Sequence, residues 1–170
     1  PLGLRARYKL AFQALLSALL GLYVATSPEL GAAVDIPFTS FQLNLGIVGY
    51  PLFAVFVMIS ISNAVNLADG LDGLAAGTSA LACVTYSIVA AILGRYDLSI
   101  FASSLAGACI GFAWFNCHPA EVIMGDTGSL ALGAALGSLA ILTKTEFLLV
   151  VIGGGFVLGG LSLVIQGTYF

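Results

Sequence analysis

Six apolar stretches, Leu10–Ala25, Leu45–Ile61, Leu74–Leu93, Leu98–Phe115, Ser129–Leu142 and Phe147–Phe170, take up most of this 170-residue chain. A helix needs roughly 20 mostly apolar residues to cross the hydrocarbon core of a bilayer, and in lipid only helices and closed barrels satisfy their own backbone. Runs of this length with almost no charge restrict the chain to an all-α polytopic membrane protein of about six transmembrane helices, the fifth being the shortest. Composition agrees, because 8% of residues are charged, against roughly 25% in a soluble domain. The bilayer is therefore the first partner.

Small residues recur at the four-residue spacing that lets membrane helices approach closely, as Gly73/Gly77, Gly107/Gly111, Gly133/Gly137 and Gly155/Gly159. Net charge is −3 and no basic tract is long enough to suggest nucleic acid, so none is expected as a partner. Cys83, Cys109 and Cys117 form no C-x-x-C pair and read as small packing residues. The opening Pro1-Leu2-Gly3 lacks an initiator Met, so the expectation is one membrane domain over residues 1–170, an internal piece of something longer.

Arg5, Arg7 and Lys9 crowd the start of the first stretch, whereas Arg95 and Lys144 stand alone. The positive-inside rule then places the N-terminus in the cytoplasm. Alternation puts loops 62–73 and 116–128 inside, and 26–44, 94–97 and 143–146 outside. Two crossings separate the inside loops, so they share a membrane face. Between Val34 and Leu45 apolar and polar residues alternate, which predicts a short outer hairpin.

The polar side chains gather in those two inside loops. In SNAVNLADGLDGLAAG, Asn63 and Asn66 are spaced to share a helix face, and Asp69-Gly70 and Asp72-Gly73 are turn formers. Helix capping explains them as well as chemistry does: Asn66 and Asp69 would end one helix and Asp72 would cap the next. A calcium loop of the EF-hand type is excluded, since position 12 from Asp69 is Ala80. FNCHPAEVIMGDTGSLALG carries Asn116, His118, Glu121 and Asp126. Again Asp126 or Ser129 could simply cap the fifth span, and His118, with no second ligand at metal spacing, reads as a loop residue.

The combination favours a site. Asp69, Asp72, Glu121 and Asp126 lie in these loops without one Lys or Arg. Carboxylates gathered at one face repel unless a cation joins them, and all-oxygen ligands suit Mg²⁺, which leaves positions for water and phosphate. Gly70, Gly73, Gly125 and Gly128 allow backbone N–H groups near phosphate oxygens, beside the positive ends of spans three and five. The expectation is a cytoplasmic Mg²⁺ site for a phosphorylated substrate.

NAVNLADGLDGLAAG, followed two spans later by FNCHPAEVIMGDTGSLALGAALGSLAILTKTE, resembles the polyprenyl-phosphate N-acetylhexosamine-1-phosphate transferases. PAEVIMGDTGSLALG, ILTKTEFLLVVIGG and LSLVIQ are most similar to its phospho-N-acetylmuramoyl-pentapeptide-transferase branch. That resemblance implies a bacterial inner-membrane enzyme of peptidoglycan synthesis. It would use Mg²⁺ to move phospho-N-acetylmuramoyl-pentapeptide from UDP-N-acetylmuramoyl-pentapeptide to undecaprenyl phosphate, giving lipid I and UMP. By motif position it implies Asp126 as metal ligand and catalytic residue with Asp69 and Asp72. Asn66, Asp69, Gly70, Leu71 and Asp72 would line the nucleotide end, with Asn116 facing them and Asn63 beside them, and Arg7 or Lys9 would reach the diphosphate or anchor the interface.

Two positions depart from the family pattern. Ile123 stands where an aromatic usually stacks on uracil, and Gly159 stands where the last span usually carries a Glu. The family also has further spans and an Asp pair upstream, and a His-rich loop downstream. Taken alone, these 170 residues are expected not to turn over. A sister transferase using UDP-N-acetylglucosamine, a cation transporter and an inactive membrane fragment remain as alternatives, and the oligomeric state, including a homodimer, stays open.

Overall fold

The computed structural model describes residues 6–37, 39, 41–156 and 158. Five long helices dominate: α1 Ala6–Thr26, α2 Gly46–Ala68, α3 Leu74–Ile92, α4 Tyr96–Asn116 and α5 Gly125–Leu142. All five are long and apolar enough to cross a membrane, and apolar side chains such as Leu16, Phe56, Leu81, Ile92 and Trp114 cover the outside of the bundle. This is the expected polytopic all-α membrane fold. A seven-residue α6, Glu146–Ile152, follows. Most of the expected sixth span, Phe147–Phe170, together with Arg5 and Gly159, lies outside the described residues.

The predicted hairpin forms. Strands β1 (Ala33–Asp35) and β2 (Gln42–Asn44) pair antiparallel, Val34 opposite Leu43, and Gln42 donates to Asp35. The hairpin leads into α2 at the end of the bundle opposite the acidic loops. There Lys144 donates to the Gly31 carbonyl and stands 4.0 Å over the Tyr50 ring, whose hydroxyl donates to buried Glu146.

Helix α2 is the spine, packed against α1 on one side and α5 on the other, while α3 pairs with α4. Small residues set the spacing. A methyl at Gly21 of α1 would stand 2.7 Å from Pro51 Cα, and one at Gly133 of α5 would stand 2.5 Å from Ser62 Cα. Gly137 faces Met58 and Ile61, so Gly133/Gly137 is a true packing pair. Gly107 and Gly111 meet nothing within 4 Å, so that pair is not a contact face.

Two helix ends differ from the expected spans. α2 runs past Ile61 to Ala68, and α5 begins at Gly125, ahead of Ser129. Hydropathy stops where polar residues start, but these polar residues find partners inside the bundle. Asn63 donates to the Ile59 carbonyl one turn back, Ser62 is buried, and Asn66 bonds across to α5. Of the capping expectations one holds, Asp69 being the C-cap of α2, and the others are corrected. Asp72 does not cap α3, whose N-cap is Gly73, and neither Asp126 nor Ser129 caps α5, whose N-cap is Met124. Gly73 sits at φ +75, a left-handed conformation that admits glycine most readily.

Candidate functional site

The end of α2, the turn after it, the end of α4 and the start of α5 meet at one end of the bundle. Hydrogen bonds tie the turn after α2 to the second acidic loop and the start of α5. Gly73 N–H donates to Asn116 Oδ1 (3.1 Å), Gly125 N–H to Asp69 Oδ2 (2.8 Å) and Ala120 N–H to Asp72 Oδ2 (3.2 Å), and His118 Nδ1 lies 3.0 Å from Asp72 Oδ2. The shared face expected from two intervening crossings is therefore present.

Asp69 acts as the N-terminal partner of a helix it does not belong to. The first N–H groups of a helix have no partner within it, and here the Gly125 N–H donates a hydrogen bond to a carboxylate arriving from α2. Burial pushes the Asp69 carboxyl above the usual range, the Gly125 N–H pulls it back, and repulsion from Asp126 adds to the rise.

Asp126 stands in the first turn of α5, where the helix dipole favours an anion. Asn66 Nδ2 donates to its Oδ1 (2.9 Å) and to Ser129 Oγ (2.8 Å), and Ser129 in turn donates to the Gly125 carbonyl (2.9 Å). The carboxylate is thus held at a fixed angle with 57% of its side chain exposed. Its other oxygen pairs with the Lys9 ammonium. This corrects the picture of acidic loops without a cation. The loops carry none, but the first turns of α1 lie at the same end of the bundle and bring one in.

The expected residues separate into groups. Asn66, Asp69 and Asp126 converge. Asn63 lines the adjoining cavity with Lys9 and Asn66. Asn116 is 3% exposed and uses both ends of its amide on backbone, accepting from Gly73 and donating to the Val122 carbonyl, so it holds the loops in place. Gly70, Leu71 and Ile123 are exposed around the rim, Ile123 at 71%. Ser129 and Gln13 also belong to the site, though sequence reasoning had not placed them there. The signal for Ser129 was its three-residue spacing from Asp126. For Gln13 it was its four-residue spacing from Lys9.

Asp72 offers a test by pH. The Ala120 N–H, with help from His118, holds its carboxyl below the usual carboxylate range. A carboxyl depressed by folding stabilises the folded state above its unfolded pKa of about 3.9, and that contribution is lost as pH falls through the depressed value. Asp72→Asn is expected to lower the thermal midpoint near neutrality, and the gap should close below the ordinary carboxylate range. A gap that persists to the lowest pH reached would show that the charge is not what matters.

All the oxygens gathered here are hard donors. Among the described residues no group of three or more His, Cys, Asp or Glu side chains converges, so any metal would be held by one or two carboxylates and otherwise by water and ligand oxygens.

Comparison with known proteins agrees with the motif resemblance. Three curated relatives are each called phospho-N-acetylmuramoyl-pentapeptide-transferase. The protein of Moorella thermoacetica is 49% identical over 170 residues, covering all of this chain and 53% of the relative. That of Geobacillus sp. strain WCH70 is 52% identical over 169 residues (99% and 52%), and that of Rubrobacter xylanophilus 49% over 173 (99% and 52%). The chain spans about half the length of the curated relatives it matches. Residues 2–144 match the family described as Glycosyl transferase family 4. With most of its length inside that match, this chain belongs to glycosyl transferase family 4.

Proposed function

We propose that the chain forms a single membrane domain of a Mg²⁺-dependent transferase. This enzyme moves phospho-N-acetylmuramoyl-pentapeptide from its UDP carrier to undecaprenyl phosphate at the cytoplasmic face of the bacterial inner membrane. Lipid I and UMP are the products. The observation that carries this reading is Asp126, exposed yet held by Asn66 beside Asp69 at the end of the bundle, in a chain about half identical to transferases of that name.

The donor set fits Mg²⁺, which takes one or two carboxylates and keeps its remaining positions for water and phosphate. Asp126 would hold the ion, with Asp69 close by. When bound, the ion would offset the charge that develops on the departing UMP as the substrate diphosphate is cleaved. The protein's own part is to position. Asn66 fixes the Asp126 carboxylate, Asp69 ties the start of α5 to the end of α2, and Asn116 keeps the two loops in register. The exposed turn Gly70–Asp72, with Asn63, Asn66 and Ile123, would receive the nucleotide. Lacking an aromatic ring, Ile123 offers apolar contact where stacking is usual in the family.

A site at the end of the bundle favours an enzyme over a transporter, whose binding sites lie near mid-membrane. Full-length protein reconstituted with undecaprenyl phosphate and Mg²⁺ is expected to release UMP from UDP-N-acetylmuramoyl-pentapeptide and not from UDP-N-acetylglucosamine. The reverse preference would assign it to the sister transferases.

A further inference from the structure

Gln13 carries an amide whose oxygen and nitrogen are both buried without a partner among the described residues. Buried polar groups are almost always hydrogen-bonded, so an orphaned amide asks for an explanation. Gln13 lies one turn along α1 from Lys9 and shares its face. Two cavities, of about 210 and 360 Å³, are each lined by Lys9, Gln13 and Leu130. The smaller is polar, with Asn63 and Asn66, and the larger is apolar, with Phe12, Leu16 and Met58. Gln13 borders both.

The Lys9 ammonium occupies an oxygen of Asp126, the carboxylate assigned above to the divalent cation. Two cations on one carboxylate repel, so loading Asp126 must release the ammonium. Lys9 already lines the cavities it shares with Gln13, and one turn along the same helix face the unpartnered Gln13 Oε1 is an acceptor for an ammonium that carries three donors. The geometry points to a two-position Lys9, paired with Asp126 when that carboxylate is free and received by Gln13 Oε1 when Asp126 holds a divalent cation. Gln13 is then a positioning residue for cation loading. The inference rests on the proposed function only in taking Asp126 as the cation ligand.

The test is Mn²⁺ binding to the full-length protein without substrate, followed by the paramagnetic resonance signal of free Mn²⁺. Lys9→Met removes the competing ammonium and should tighten binding about fivefold. Gln13→Leu removes the receiving oxygen and should weaken binding about fivefold when Lys9 is present. In the Lys9→Met background the same change should shift binding by less than about twofold, because coupled residues are not additive. Gln13→Leu deletes only unpaired polar atoms, so the fold should survive. Gln13→Asn, still polar but one methylene shorter, should weaken binding in the same direction. Equal effects of Gln13→Leu in both backgrounds, or none in either, overturn the inference and leave the metal site standing. Mn²⁺ binding indifferent to Asp126→Asn overturns both.

Discussion

Asp126→Asn is expected to lower UMP release by the full-length protein on the order of 10²- to 10³-fold, the effect of removing one preorganised electrostatic contact, while leaving the fold intact. The amide keeps the shape of the carboxylate, and its oxygen still accepts from Asn66, so the local network around Ser129 and Gly125 survives. What disappears is the negative charge, and with it the Lys9 pair and the proposed hold on Mg²⁺. An exposed ion pair contributes little to stability, so the thermal midpoint should move little. Added Mg²⁺ should not restore the rate, because a neutral amide is a poor ligand at any accessible concentration. Asp69→Asn should cost less. Its oxygen can still accept the Gly125 N–H, and its carboxylate is already turned toward the start of α5. If Asp126→Asn retained activity within a few-fold of the parent, or if Asp69→Asn were the more damaging change, the metal assignment would move from α5 to the end of α2.

Hydropathy was enough to locate all five long helices, and it failed where a polar residue is paired inside a helix. Ser62, Asn63 and Asn66 read as a loop because each is costly in lipid when unpaired, yet each is buried or bonded within the bundle. The alternation from Val34 to Leu45 marked the hairpin, because its strands keep a two-residue period. The meeting of the two acidic loops followed from counting crossings. Lateral packing was not legible. A membrane helix is apolar on its lipid face and on its buried face alike, so periodicity does not say that α1 lies along α2 with Lys9 level with Asp126. Nor does it say that Asp69 reaches Gly125, or that the Gln13 amide is buried without a partner among the described residues. Those contacts make the site, and they depend on how closely the helices approach.

The approach of α5 to α2 is the tightest of these, and Gly133→Ala tests it with one methyl. The added carbon would stand 2.5 Å from Ser62 Cα and 3.0 Å from the Ile61 carbonyl oxygen. Both are backbone atoms of α2, which no rotamer change can move aside. Overpacking of this kind costs about 1–3 kcal/mol, and the helices must separate to admit it. Ser129 lies one turn from Gly133 on α5, and Asn66 lies one turn from Ser62 on α2, so the strained pair and the Asn66–Ser129 bond are successive rungs between the same two helices. Spreading the lower rung lifts Asn66 away from Asp126. Misplacement of a catalytic group by about 1 Å can cost 10²-fold in rate. The expected result is therefore a lower thermal midpoint together with a loss of UMP release larger than the stability change alone would produce. Gly107→Ala supplies the comparison on α4, since a methyl there meets nothing within 4 Å and should leave both properties unchanged. Equal behaviour of the two variants would mean that α2 and α5 are free to slide, and that the position of Asp126 is set from its own loop instead of from the packing beneath it.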